Sequence, residues 1–230
     1  MTNRGGPSQQ FAGTPVELAA TLAFFYELDR LKSVERRNYL ADASRRENTA
    51  EHSWHLGMAV LVLAPFVEEP MDVGRAVAMA LAHDIVEIDA GDTFAYDQGA
   101  DAESKRAREE AAADRLFGLL PPERATFLRA LWDEYEEGNT PEARFVMAVD
   151  RMAPMLLNLA EGGTTWREHG ITADRVEARN RPHIEPVLPD VWTALAELLA
   201  DAVSGGRLPS SPAVHSEPTA QPPPVGTVEP

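Results

Sequence analysis

The chain has no cysteine. Disulfides, thiolate nucleophiles and sulfur-ligated zinc are therefore excluded. No apolar run approaches the roughly 20 residues that cross a bilayer, and the polar, glycine-rich residues 1–13 lack a signal-type apolar stretch. Basic residues are scarce, 21 Lys and Arg against 37 Asp and Glu for a formal net charge of −16. Such a chain repels a nucleic-acid backbone overall. These absences predict a soluble, cytoplasmic protein that binds neither membranes nor nucleic-acid polymers. A small anionic substrate stays open to it, because local cations or a metal outweigh a distant field.

What is present reads as helix. The 230 residues, 44% hydrophobic, suffice for one domain with a substantial core. Thr14-Pro15-Val16-Glu17 has the form of a capping box opening a helix to about Ser33, with Leu18, Leu22, Phe25, Leu28 and Leu31 on one face. A polar loop follows through Glu47-Asn48. Further helices are expected from near Thr49, read as an N-cap, from near Asp72, over Asp101 to Leu119, after Pro121-Pro122, from Thr140-Pro141 and over Asp190 to Ser204. No segment alternates convincingly as a strand, so the fold class is all-α. Seven of the 18 prolines fall in residues 205–230, which are expected to form a disordered tail. The predicted organisation is a disordered 1–13, one helical domain over 14–204, and that tail.

Three groups of residues carry chemistry. Asp150 sits inside an apolar helical stretch, where a carboxylate must be paired, metal-bound or neutral. An ion pair with an arginine such as Arg151 would satisfy it equally well. His83 and Asp84 end an apolar run that begins at Ala76, and Glu87 follows His83 by one helical turn. His52 lies in a predicted first turn, with His55 as a rival. Without cysteine, a metal here is held by His, Asp and Glu, a set suited to manganese, cobalt, zinc, ferrous iron or magnesium.

Taken in order, a His, a His-Asp pair and a distant Asp on an apolar helix resemble the ligand pattern of the HD superfamily of metal-dependent phosphohydrolases. The resemblance runs from about Ala19 to Leu159. Within that superfamily the chain is similar to the bacterial 5'-deoxyribonucleotidases. The pieces are Leu31-Lys32 with Arg36, Arg45 with Glu47-Asn48, Glu51-His52-Ser53, His83-Asp84 with Glu87, Gly91-Asp92, and Asp150. The resemblance implies a single-domain HD-type helical bundle with one divalent metal on His52, His83, Asp84 and Asp150. It implies Glu87 as catalytic acid/base, Asp92 as the group handling the water or the sugar, and Arg36 on the phosphate. It also implies a homodimer. The reaction would be attack of metal-activated water on a nucleoside 5'-monophosphate.

Arg37 stands where that pattern has a tryptophan that shapes sugar selection. Ribonucleotides and modified nucleotides thereby join deoxynucleotides as candidate substrates, and Arg36 and Arg37 could exchange roles. A triphosphate or other phosphate-ester hydrolase on the same fold is one rival. A non-catalytic helical interaction protein is another.

Overall fold

The computed structural model describes residue 11 and residues 13–97 and 102–210. The expectations for residues 1–10 and 211–230 lie outside them. Ten α-helices and one hairpin, with two short 3-10 turns at Leu31–Ser33 and Ala64–Phe66, follow one another along the described residues. They are α1 (Val16–Arg30), β1 (Glu35–Tyr39), β2 (Arg46–Asn48), α2 (Thr49–Leu63), α3 (Val73–Ala82), α4 (Glu87–Ala90), α5 (Ala102–Phe117), α6 (Pro122–Glu137), α7 (Pro141–Ala160), α8 (Thr164–Glu168), α9 (Ala173–Ile184) and α10 (Pro189–Ser204). The fold is all-α, as expected.

The core is built around α7. Phe145, Val146, Val149 and Met152 are buried along it, and α2, α3, α6 and α9 pack against it. Leu56 and Val60 of α2 and Ala76, Met79 and Ala80 of α3 are fully buried there. Each large apolar side chain so placed contributes about 1.5–3 kcal/mol. Thr140 starts α7 by accepting a hydrogen bond from the Ala143 amide, with Pro141 in the first turn. Asp72 caps α3 in the same way.

Several local expectations are corrected. The helix α1 begins after Pro15, and no side chain caps it; Thr14 stands one residue too early. The cap of α2 is Asn48, not Thr49, in a reciprocal box with Glu51. Thr49 is buried instead. The segment read as a polar loop is an antiparallel hairpin in which Glu35 pairs with Asn48 and Tyr39 with Arg46. Its inward residues, Arg36, Asn38 and Glu47, are polar, so hydropathy does not alternate along it. Trp132, Trp166 and Trp192 are packed inside, whereas Trp54 is exposed.

Residues 205–210, read from the sequence as the start of the tail, fold back on the domain. Leu208 is buried, and the Pro209 carbonyl accepts a hydrogen bond from the Ala173 amide. Gly163 lets this return pass. Its φ is +78°, and a Cβ there would collide with the Arg207 carbonyl oxygen.

Candidate metal centre

Five elements deliver side chains to one buried point. The first turn of α2 supplies His52. The end of α3 supplies His83 and, one residue on, Asp84. The start of α4 supplies Glu87, the middle of α7 supplies Asp150, and β1 supplies Arg36. The helix α3 stops at Ala82, and 82–89 continue in tighter turns, with the Ile85 and Glu87 amides bonded to the Ala82 and Asp84 carbonyls. That tightening lets adjacent residues His83 and Asp84 face the same place. Gly91 then turns the chain at φ +74°, a left-handed geometry that favours glycine, and Asp92 follows it.

One ligand atom each from His52, His83 and Asp150 lies within 4.8 Å of the others. Both imidazoles are buried. His83 donates from Nδ1 to the Ala80 carbonyl at 2.9 Å. Its Nε2 is 3.1 Å from Asp84 Oδ2 but makes no hydrogen bond. His52 turns Nδ1 toward Glu47, 3.7 Å away, and Nε2 toward Asp150 Oδ1 at 2.9 Å. An imidazole whose Nδ1 is held by an acceptor presents Nε2 as a lone pair. The orphaned Nε2 of His83 and the converging donor set fit a divalent cation. Asp84 adjoins both histidines, with Oδ2 3.8 Å from His52 Nε2, and forms a 3.0 Å ion pair with Arg36. His55, the rival ligand, is exposed one turn away.

Charge runs high in this space. Burial opposes protonation of His83, but Asp84 and Asp150 raise it to about 9 in the metal-free site, a proton that a bound cation would displace from Nε2. Burial and Arg36 oppose protonation of His52, yet Asp150 and Glu47 hold it above the ordinary histidine value. Burial pushes Asp150 up, and His52, His83 and Arg36 outweigh it, leaving the carboxyl well below the usual range. Glu87 goes the other way. Burial and the neighbouring charge of Asp84 lift it to about 9. The Thr49 hydroxyl donates to Glu87 Oε2 at 2.8 Å. Burial and Asp84 also raise Asp92, against Arg36, whose Nη1 is 3.9 Å away.

Three residues here had no role assigned from sequence. Glu47 is buried, facing Arg36 Nε and His52 Nδ1 at 3.7 Å each. Thr49 holds Glu87. Tyr135 donates to Asp150 Oδ2 at 3.1 Å and packs its ring 4.9 Å from that of His83. Glu47 entered the sequence reading only as a motif piece beside Arg45, and the positions of Thr49 and Tyr135 carry no signal of a site.

A cleft with a cavity volume of about 90 Å³ opens beside the cluster. Arg36, Asp92 and Asp150 line one end, and Asn158, Thr165 and Trp166 line it further along. Arg37 reaches the cleft while remaining exposed. All eight residues assigned from sequence are thus brought to the cluster or the cleft, except that Arg37 stays at the rim.

The model of the HD domain family matches residues 28–192. The 5'-deoxynucleotidase HDDC2 of Homo sapiens is 30% identical over 188 residues, covering 80% of this chain and 90% of that protein. The 5'-deoxynucleotidase Ent638_2835 of Enterobacter sp. (strain 638) is 27% identical over 161 residues, 67% of this chain and 80% of its own. Among solved structures, a predicted metal-dependent phosphohydrolase from Magnetospirillum magnetotacticum MS-1 is 45% identical. It aligns with a TM-score of 0.79 over 85% of this chain and 100% of that one. An HD-domain phosphohydrolase from Listeria innocua, 18% identical with a TM-score of 0.59, shares the fold.

Proposed function

The chain belongs to the HD domain family, and on that premise we propose that it hydrolyses a nucleoside 5'-monophosphate to nucleoside and inorganic phosphate. The observation that carries this reading is the convergence of His52, His83 and Asp150 on one buried point at the mouth of a cleft. One divalent cation held by these three, with Asp84 as fourth ligand, would lower the pKa of water and offset phosphate charge.

The chain's own residues do the rest. The Thr49 hydroxyl engages Glu87 Oε2, which leaves Oε1 free to face the reacting groups. Water attacks phosphorus, and the bond from phosphorus to the 5'-oxygen breaks. Glu87 Oε1 gives its proton to the departing oxygen and regains one from the attacking water. Arg36, bridging Asp84 and Asp92, presents a guanidinium to the phosphate oxygens. Asp92, at the edge of the cleft, meets the sugar. Glu47 and Tyr135 hold His52 and Asp150 in position. A nucleotide pool is the substrate source this reading needs, which places the enzyme in the cytoplasm, and cell fractionation checks it.

The same reading includes a homodimer. Trp54, Met58, Leu61 and Val62 are 65%, 42%, 47% and 62% exposed on one face of α2. Contiguous exposed apolar surface of this kind marks an interface. A second copy is the occupant, and sedimentation at micromolar concentration reads it.

The test is phosphate release from ribo- and deoxyribonucleoside mono- and triphosphates, by protein stripped with chelator and resupplied with manganese, cobalt or zinc. Metal-restored release from monophosphates is expected. Stoichiometric metal binding without release from any nucleotide would overturn the reading.

A further inference from the structure

The cleft holds cations without an ion pair, alongside the carboxylates of Asp92 and Asp150 at the cluster end. Arg37, Arg151 and Arg179 line it, and none forms an ion pair among the described residues. Arg45, Arg75, Arg115, Arg129 and Arg181 are paired, whereas exposed arginines such as Arg124 and Arg207 stand in solvent. Arg151 on α7 and Arg179 on α9 are half-buried. Burial and the charge of Arg151 lower the pKa of Arg179 against the opposing pull of Tyr96 and Asp150, and its guanidinium stands 5.5 Å over the Tyr96 ring. Two like charges in a partly desolvated space repel. An uncharged base does not relieve that repulsion, whereas a bound anion does.

The position of the pair says which part of a ligand meets it. Asp150 and Asn158 mark the two ends of the cleft along α7, about 12 Å apart at helical rise. At the Asn158 end, Asn158 Oδ1 and Thr165 Oγ1 are buried polar atoms without partners. They suit the edge of a base. A nucleotide with its 5'-phosphate at the histidine cluster and its base among these atoms carries its sugar past Arg151 and Arg179. Arg36, beside Asp84, Glu47 and Asp92, stays with the 5'-phosphate at the cluster, so the pair is a separate recognition element.

We propose that Arg151 and Arg179 form a second anion subsite that takes a phosphate on the sugar of the substrate, making the preferred ligand a nucleoside bisphosphate. The proposal rests on the nucleotide reading of the cleft. The planar fork of arginine matches phosphate oxygens bidentately, and Arg37 at the rim adds a third positive charge.

Equilibrium binding to the metal-free full chain tests it, with three probes: 2'-deoxyadenosine 5'-monophosphate, its 3',5'-bisphosphate and its 5'-diphosphate. The wild type is expected to bind the bisphosphate at least about tenfold more tightly than the monophosphate. Arg151→Gln and Arg179→Gln are expected to lose that preference, and Arg179→Lys, which keeps the charge without the fork, to retain part of it. Circular dichroism melts confirm that each variant is folded. No preference in the wild type would overturn the subsite. So would equal weakening of monophosphate and bisphosphate in the variants, because the pair would then grip the 5'-phosphate. A 5'-diphosphate as tight as the bisphosphate would overturn the placement on the sugar. Preference without turnover of any probe by metal-loaded enzyme would sink the hydrolase reading and leave the subsite standing.

Discussion

His52 Nε2 stands 2.9 Å from Asp150 Oδ1, although 98 residues separate them in the chain. A contact of that span forms only when α2 and α7 are already packed. The donor set is therefore a product of tertiary structure, and its loss can be separated from loss of the helices themselves.

His83→Ala and Asp150→Asn are expected to remove stoichiometric metal binding and turnover together. Elemental analysis of dialysed protein reads the first, and phosphate release reads the second. Full metal occupancy in either variant would disprove the ligand assignment.

Glu87→Gln should keep the metal and lose turnover by about 10²–10⁴-fold, the usual worth of a positioned acid/base. Retained rate with retained metal would remove Glu87 from the reaction.

Glu47→Gln leaves every donor atom in place but weakens the acceptor facing His52 Nδ1. Groups that orient a ligating imidazole are typically worth about 10–100-fold in metal affinity, and that loss is expected in a calorimetric titration. An unchanged affinity would make Glu47 a partner of Arg36 alone.

Glu134 ties α6 to Arg75 on α3 and accepts from Thr140 Oγ1 at 2.7 Å. The Arg75 hydrogen bond holds its carboxyl below the ordinary value. A carboxyl depressed in the folded state contributes stability that is present above its unfolded pKa of roughly 4.3. That stability is lost as pH falls through the folded value. Glu134→Gln should thus melt below wild type at pH 7, and the gap should close in acid. A gap independent of pH would point to packing instead.

Gly163→Ala forces a left-handed alanine, at about 1–2 kcal/mol, into the path of the Arg207 carbonyl. For a chain this size each kcal/mol lowers the melting temperature by about 2–4 °C. A drop of that order or larger is expected in a thermal scan, and no drop would mean that residues 205–210 lie elsewhere in solution.

The helices that carry the site were legible because α3 and α7 bury nearly continuous apolar runs, and a polar residue at the end or middle of such a run stands out. His83, Asp84 and Asp150 are such residues. The hairpin was not legible. Arg36, Asn38 and Glu47 face inward on strands whose inner face lies against the cluster and the cleft, so the alternation that marks a strand is missing where polar side chains replace apolar packing. Thr49 and Tyr135 were hidden for a related reason. Their hydroxyls matter only through Glu87 and Asp150, which are distant in sequence. At Thr14 a well-formed capping motif failed because the helix begins one residue further on, after Pro15.

The return of residues 205–210 across Gly163 bears on how this protein is handled at the bench. A version trimmed after Ser204, where the last helix ends, would strip Leu208 from the interior and the Pro209 acceptor from Ala173. A version trimmed after Ser210 keeps both. Purification tags and reporter fusions belong beyond that point, where they add bulk without prising open the seam they are joined to.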